Sequence, residues 1–158
     1  MPIDPSTYRA ALARFASGVT IVTARDAGGR DVGMTVSAFT SLSLDPPLVL
    51  LCIDHAASVA SVLDTCDRFV VNILAEGQEP LSRRFAEHEV DRFDGVPFRR
   101  GMHDLALLEG ALAHLECRTH SRTPGGDHTV LIGAVEATDI GAGAPLLYYR
   151  SGYGRLDP

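Results

Sequence analysis

Lysine is absent from this 158-residue sequence, so its 14 formal positive charges are all carried by arginine. Against 20 acidic residues they leave a net charge of −6, which speaks against a nucleic-acid backbone as partner. Cysteine is sparse. Cys52, Cys66 and Cys117 are odd in number, include no Cys-x-x-Cys pair, and each sits in an apolar run. They read as reduced core residues of a cytoplasmic protein rather than a disulfide scaffold. No apolar run approaches the length of a membrane span, and the N-terminus MPIDPSTYRA lacks the apolar core of a signal peptide. The sequence has no HExxH, no GxSxG and no Walker motif. Gly141-Ala142-Gly143-Ala144 is too short for a dinucleotide fingerprint, and the alternation of strands and helices that a doubly wound nucleotide fold needs is missing. The six histidines show no metal-ligand spacing beyond His114 and His120. Those two read as solvated positions on one strand face, and no metal site is expected.

What is present is an ordinary globular mix, 46% hydrophobic and 22% charged. It suits one domain over 1–158, large enough to bury its core without metal or disulfide help. The stretch Gly33 to Ile53 stands out. Thr35, Ser37, Thr40, Ser41 and Ser43 alternate with Met34, Val36, Phe39 and Leu42, a poor helix but a good strand and loop. Asp45-Pro46-Pro47 stops it, because proline has no N–H for a sheet ladder. The apolar strand Leu48 to Ile53 follows. A hydroxyl-bearing lip on a rigid apolar wall suits a flat, partly polar ligand; a hydroxyl-decorated hairpin is the plainer reading of the same residues.

Asp4-Pro5 opens a helix as N-cap and first residue. Tyr8, Ala11, Leu12, Phe15 and Ala16 form its apolar stripe, and Gly18 is expected to end it. Val19 to Ala24 reads as a strand, with a turn over residues 26–31 sending the next strand back antiparallel. Ser58 is expected to cap a helix carrying Val59, Val62, Leu63 and Cys66. Phe69 to Leu74 is a short buried strand, Pro80 to Glu87 a short helix, and 88–104 an irregular surface loop. Ala111, Ala113, Leu115 and Cys117 alternate with His114 and Glu116, giving a strand with one buried face. A turn at 123–127 leads into a long strand over His128 to Ile140, then a last strand over Pro145 to Arg150 and a tail to Pro158. About seven antiparallel strands and three helices make a mainly β chain with flanking helices, and many short strands with such turns favour a closed barrel.

Few residues stand out chemically. His128 opens a strand directly after Gly125-Gly126-Asp127, where glycines let backbone approach a ligand, although a turn histidine bonded to Asp127 explains it equally. Arg84 and Arg83, beside Phe85, are equally eligible by spacing to meet an anion. Ser58 at a helix start is a second anion candidate or a plain cap.

Taken together, Phe15–Thr23, Gly33–Phe39, Ser41–Val49, Gly126-Asp127-His128 and Pro145–Tyr149 resemble, in order and spacing over about residues 8–156, the short-chain flavin reductases. These are the reductase partners of two-component flavin-dependent monooxygenases. The resemblance implies an antiparallel, Greek-key type, FMN-binding split β-barrel, a homodimer, and hydride transfer from NADH or NADPH to FMN or FAD. It places Met34, Thr35, Val36 and Ser37 with Ser41, Leu42 and Ser43 along the isoalloxazine ring and ribityl chain. Cys52, Ile53, Asp54, His55 and Ser58 lie toward the phosphate or adenylate end. Arg84 and Phe85 match the family's arginine–phenylalanine pair near the phosphate, His128 the histidine that positions the nicotinamide, and Tyr149 and Tyr153 the C-terminal aromatics. One segment departs: Asp54-His55-Ala56-Ala57 stands where some members carry asparagine or a basic residue, which leaves less positive charge there. Two other readings are a non-catalytic flavin-binding protein and another oxidase on the same barrel.

Overall fold

The fold was described from a computed structural model. It describes residues 2–88 and 91–157, so residues 89 and 90 of the expected loop, and Pro158 of the tail, lie outside the described residues. The chain begins with α1 (Pro5–Leu12), β1 (Ser17–Gly18), β2 (Thr20–Arg25), β3 (Asp31–Val36), β4 (Phe39–Ser43) and β5 (Leu48–Asp54). It continues through α2 (Ala60–Leu63), β6 (Arg68–Ile73), a 3₁₀ turn at Glu76–Gln78 and α3 (Glu79–Arg84). Then come β7 (Phe98–Arg100), β8 (Ala106–Leu108), β9 (Ala113–Gly125), β10 (His128–Ile140), β11 (Leu146–Tyr149) and β12 (Gly152–Arg155). The mainly β reading holds. Among the described residues no helix is long and apolar enough to cross a membrane.

Seven strands form one antiparallel sheet in the order β3-β2-β6-β9-β10-β5-β4. Its two edge strands, β3 and β4, are consecutive in the chain and joined only by Ser37 and Ala38. The sheet must therefore curl until its edges approach each other, and the Cys52 N–H donates to Ala38 O at 3.0 Å to hold the link against β5. The β-branched and aromatic residues of the inner strands fill the interior: Val22, Leu51, Ile53, Phe69, Val71 and Leu131 are all buried. Gly133 is needed in β10, since a Cβ there would lie 2.5 Å from the buried Phe69 ring. A second apolar cluster gathers Val19, Ile21, Leu74, Phe85, Leu108 and Leu146 under α3 and β11.

Three expectations need correction. The first helix starts as expected, with the Asp4 side chain accepting from the Thr7 N–H and Pro5 in the first turn, but it ends at Leu12. Ser17 and Gly18 are taken by β11, opposite Tyr148 and Leu147, and the Arg150 N–H reaches Ala13 O. Its apolar stripe is not buried within the chain: Tyr8, Leu12 and Phe15 are 53%, 54% and 81% exposed. Ser58 does not cap α2, which starts after Val59 without a side-chain cap. Finally, the first half of β9 is covered on both faces, while most of residues 118–125 stay exposed. The hairpin β7–β8, whose first strand comes from what reads as loop, reaches it through Met102 and Leu108, and His114 and Glu116 are buried. His114 bonds Asp139 through Nδ1 at 2.6 Å and Leu108 O through Nε2 at 2.7 Å, and Glu116 accepts from the Met102 N–H. Only His120 of the expected pair stays exposed. All three thiols are free, but only Cys117 is fully buried; burial pushes its pKa up to about 12.

Candidate functional site

The β3–β4 corner carries the hydroxyl-rich stretch. Thr35 is locked to α3: its N–H donates to Phe85 O at 3.2 Å and its hydroxyl to Ser82 O at 2.6 Å. Both donors are thus committed to structure, so Thr35 meets the cavity beside it with its remaining surface rather than with a free N–H or O–H. Val36 is buried, Met34 packs on the core, and Ser37 is exposed. Ser37 shares a cavity of about 190 Å³ with Val19, Thr35, Ala86, Tyr148 and Tyr153. The two tyrosine rings meet edge to face at 5.3 Å, and the Tyr153 hydroxyl pairs with Ser82 Oγ at 2.7 Å. Tyr148, rather than Tyr149, lines this cavity; Tyr149 is exposed and paired with Gly152. On β4, Ser41 and Ser43 face Val49 and Leu48 across an irregularity in register, and Leu42 between them is 48% exposed.

The end of β5 meets the start of β10. Asp54 is opposite His128, Ile53 opposite Thr129, and Cys52 opposite Val130. Ile53 is buried and offers only backbone. The His55 N–H donates to Asp127 O at 3.0 Å, and its Nε2 lies 3.1 Å from Thr129 Oγ1. His128 Nδ1 is 2.6 Å from Asp127 Oδ1. The hydrogen bond from His128, and then its charge, hold the Asp127 carboxyl below the usual carboxylate range. The carboxylate is an acceptor, so Nδ1 carries the proton and Nε2 is left to meet a ligand. The structure thus gathers Cys52 to His55 with His128, residues that the sequence separates by more than 70 positions.

The anion candidates are rearranged. Arg84 gives its Nε–H to Arg92 O at 2.9 Å and its NH2 group to Asp91 O and Asp94 O at 2.7 and 2.9 Å; it clamps the loop over residues 91–94. Arg83 pairs with Glu79 at 2.8 Å and lies over the Tyr153 ring. Phe85 is fully buried, with its ring against Gly33, where a Cβ would come within 2.9 Å. Arg84 thus spends Nε and NH2 on this loop and leaves NH1 uncommitted among the described residues, while neither Arg84 nor Phe85 lines the large cavity beside Ser58. Ser58 instead lines a cavity of about 890 Å³ with Arg30, Asp31, Gly33, Arg92 and Phe93 among its walls. Arg92 carries no local signal in the sequence, because its neighbours come from β3 and from the loop before α2. Among the described residues no group of three His, Cys, Asp or Glu side chains is placed to hold a metal ion.

Comparison with known proteins fits this geometry. The profile of the flavin reductase like domain matches residues 12–157. The reductase component of 4-hydroxyphenylacetate 3-monooxygenase from Thermus thermophilus is 45% identical over 150 residues, covering 94% of this chain and 95% of that one. An NADH-dependent flavin reductase from a Rhodococcus species is also 45% identical, over 159 residues, covering 98% and 88%. Among solved structures, the Streptomyces globisporus NADH:FAD oxidoreductase in complex with NAD and FAD fragments superposes with a TM-score of 0.92 at 37% identity, covering 100% of this chain and 98% of that one.

Proposed function

Because the chain belongs to the flavin reductase like domain family, we propose that it is an NAD(P)H:flavin oxidoreductase that passes reduced FMN or FAD to a partner monooxygenase. The observation that carries this reading is that Cys52–His55 runs beside the start of β10 at His128 and is tied to the end of the β3–β4 corner by the Cys52 N–H to Ala38 O bond at 3.0 Å. The cofactors supply the hydride chemistry, with the nicotinamide as donor and the flavin as acceptor. The chain supplies positioning. Ser37, Ser41 and Ser43 offer hydroxyls to a polar ring edge, Tyr148 and Tyr153 offer an aromatic wall, and His128 holds the nicotinamide. Within the described residues this set fits a flavin, since it combines stacking surface with neutral hydrogen-bonding groups and needs no acid or base at the reacting atoms.

The domain is read as one split barrel over 1–158. Support comes from the two sheet edges, which a two-residue link joins without a ladder between β3 and β4. The chain is read as cytoplasmic on its free thiols. A homodimer is favoured by α1, which has no buried residue and exposes Tyr8, Leu12 and Phe15. Sedimentation equilibrium is expected to give twice the chain mass; a monomer at micromolar concentration would refute the pairing.

The test of function is direct. Purified protein mixed under nitrogen with FMN and NADH, or with the FAD and NADPH combinations, is expected to bleach the flavin absorbance within seconds at catalytic protein concentration. A protein that binds flavin yet leaves the absorbance unchanged with either donor is a carrier, and the enzymatic reading fails.

A further inference from the structure

We propose that His55 is a positioning residue: it clamps the first residues of β10 and so holds the His128 ring ready for the nicotinamide donor. This rests on the flavin reductase reading. It gives a use to the segment Asp54-His55-Ala56-Ala57, where the chain departs from its expected pattern.

The start of β10 needs holding. His128 is its first residue, paired on one side with Asp54 and on the other with Gly125, the last residue of β9. Only Gly126 and Asp127 lie between the two strands. Gly126 is left-handed, at φ 68°, with open space where a Cβ would stand, so no side chain braces the turn there. Asp127 orients the His128 ring through the 2.6 Å bond to Nδ1, but the Asp127 side chain is itself 90% exposed. The ring is therefore only as fixed as the turn that carries its partner.

His55 fixes that turn from a distant part of the chain. Its N–H donates to Asp127 O at 3.0 Å, and its Nε2 lies 3.1 Å from Thr129 Oγ1. One residue thus grips the positions directly before and after His128. Successive side chains leave a strand on opposite faces, so the contact through Thr129 leaves the His128 face of β10 clear. His55 is held in its own place by a closed turn: the Ala56 N–H donates to Asp54 Oδ1 at 2.9 Å and the Ala57 N–H to Asp54 O at 3.0 Å. The segment that is short of positive charge spends its one basic ring on β10.

Steady-state assays of the full chain, with NADH or NADPH (whichever is the faster donor) varied at saturating FMN, test this beside FMN titrations. His55→Ala keeps the main-chain bond to Asp127 and removes only the contact with Thr129. It is expected to raise the KM for the donor about threefold to tenfold, while kcat and FMN affinity each change by less than about twofold. His55→Gln, whose amide offers the same hydroxyl a donor and an acceptor, is expected to recover most of the loss. Thr129→Val removes the contact from the other side and carries the test if the His55 variants do not fold. It should give the same rise, and the double variant no more than either single change. In a His128→Ala background, His55→Ala is expected to shift the donor KM by less than about twofold, because the ring it positions is gone. A full further loss in that background would show that His55 acts independently of His128. An equal loss of FMN affinity would make it a flavin contact or a general support, and an unchanged donor KM would show no clamp. Each of these overturns the proposal. If the unmodified protein reduces flavin and the variants match it, only this assignment falls. If the unmodified protein reduces flavin with neither donor, the functional reading falls and takes this one with it.

Discussion

Replacing His128 with alanine is expected to raise the KM for the nicotinamide donor about 10- to 100-fold and to change flavin affinity by less than about twofold. The magnitude follows from one charge-assisted hydrogen bond between the His128 ring and the donor, worth about 1.5–3 kcal/mol, with each 1.4 kcal/mol equal to about one factor of ten. The asymmetry follows from placement. His128 is the first residue of β10, opposite Asp54, and Asp127 holds its Nδ1 at 2.6 Å. The ring is therefore oriented before any donor arrives, with Nε2 as the free nitrogen. The hydroxyls and tyrosines assigned to the flavin lie on the β3–β4 link, β4, β11 and β12 and do not depend on it. On the proposed role, in which His128 positions the nicotinamide and transfers no proton, kcat at saturating donor should fall far less than kcat/KM. Steady-state assays with donor varied at fixed flavin, alongside flavin titrations, measure both quantities. Equal losses for donor and flavin, or no loss for either, would remove His128 from the nicotinamide site.

What the sequence makes legible here is mostly local. The Asp4 cap, the turn at Gly28-Gly29 between β2 and β3, the proline stop after β4 and the start of β10 all depend on neighbours within a few residues, and each forms where expected. Errors arise where a distant partner wins. The helical stripe through Phe15 is real, yet β11 draws Ser17 and Gly18 into a strand from 130 residues away. His114 and Glu116 alternate with apolar residues as solvated positions do, but the β7–β8 hairpin covers that face. Ser58 has the right composition for a cap and serves instead as acceptor for Arg92, 34 residues later. Arg84 and Arg92 show the same lesson within the site. Local spacing cannot tell a guanidinium that closes a loop from one that faces a cavity, because the difference lies in which carbonyls the folded chain brings near.

Removing Asn72 is expected to give the largest loss of stability among the polar substitutions considered. Asn72 lies fully buried in β6. Its Nδ2 donates to Ile21 O at 2.8 Å and to Thr23 Oγ1 at 3.2 Å, and its Oδ1 accepts from the Leu108 N–H at 2.9 Å. One amide therefore ties the sheet to β8 and so to the hairpin that covers β9. Thr23, also fully buried, passes its own hydroxyl on to Ala106 O at 2.7 Å. Asn72→Leu keeps the number of side-chain heavy atoms, though in a bulkier shape, and strands buried groups on both sides, each costing about 1–3 kcal/mol. The expected total is about 3 kcal/mol, read as a lower urea midpoint at unchanged slope. Thr23→Val should cost less alone, because it leaves the amide bonds to Ile21 and Leu108 in place. The two residues share a hydrogen bond, so the double variant should lose less than the sum by more than about 0.5 kcal/mol. A loss below about 1 kcal/mol for Asn72→Leu, or strict additivity with Thr23→Val, would mean that the network does not anchor the hairpin. In that case the burial of His114 and Glu116 would have to rest on apolar packing of Leu105 and Leu107 against Val70, and alanine at Leu107 would become the more damaging change.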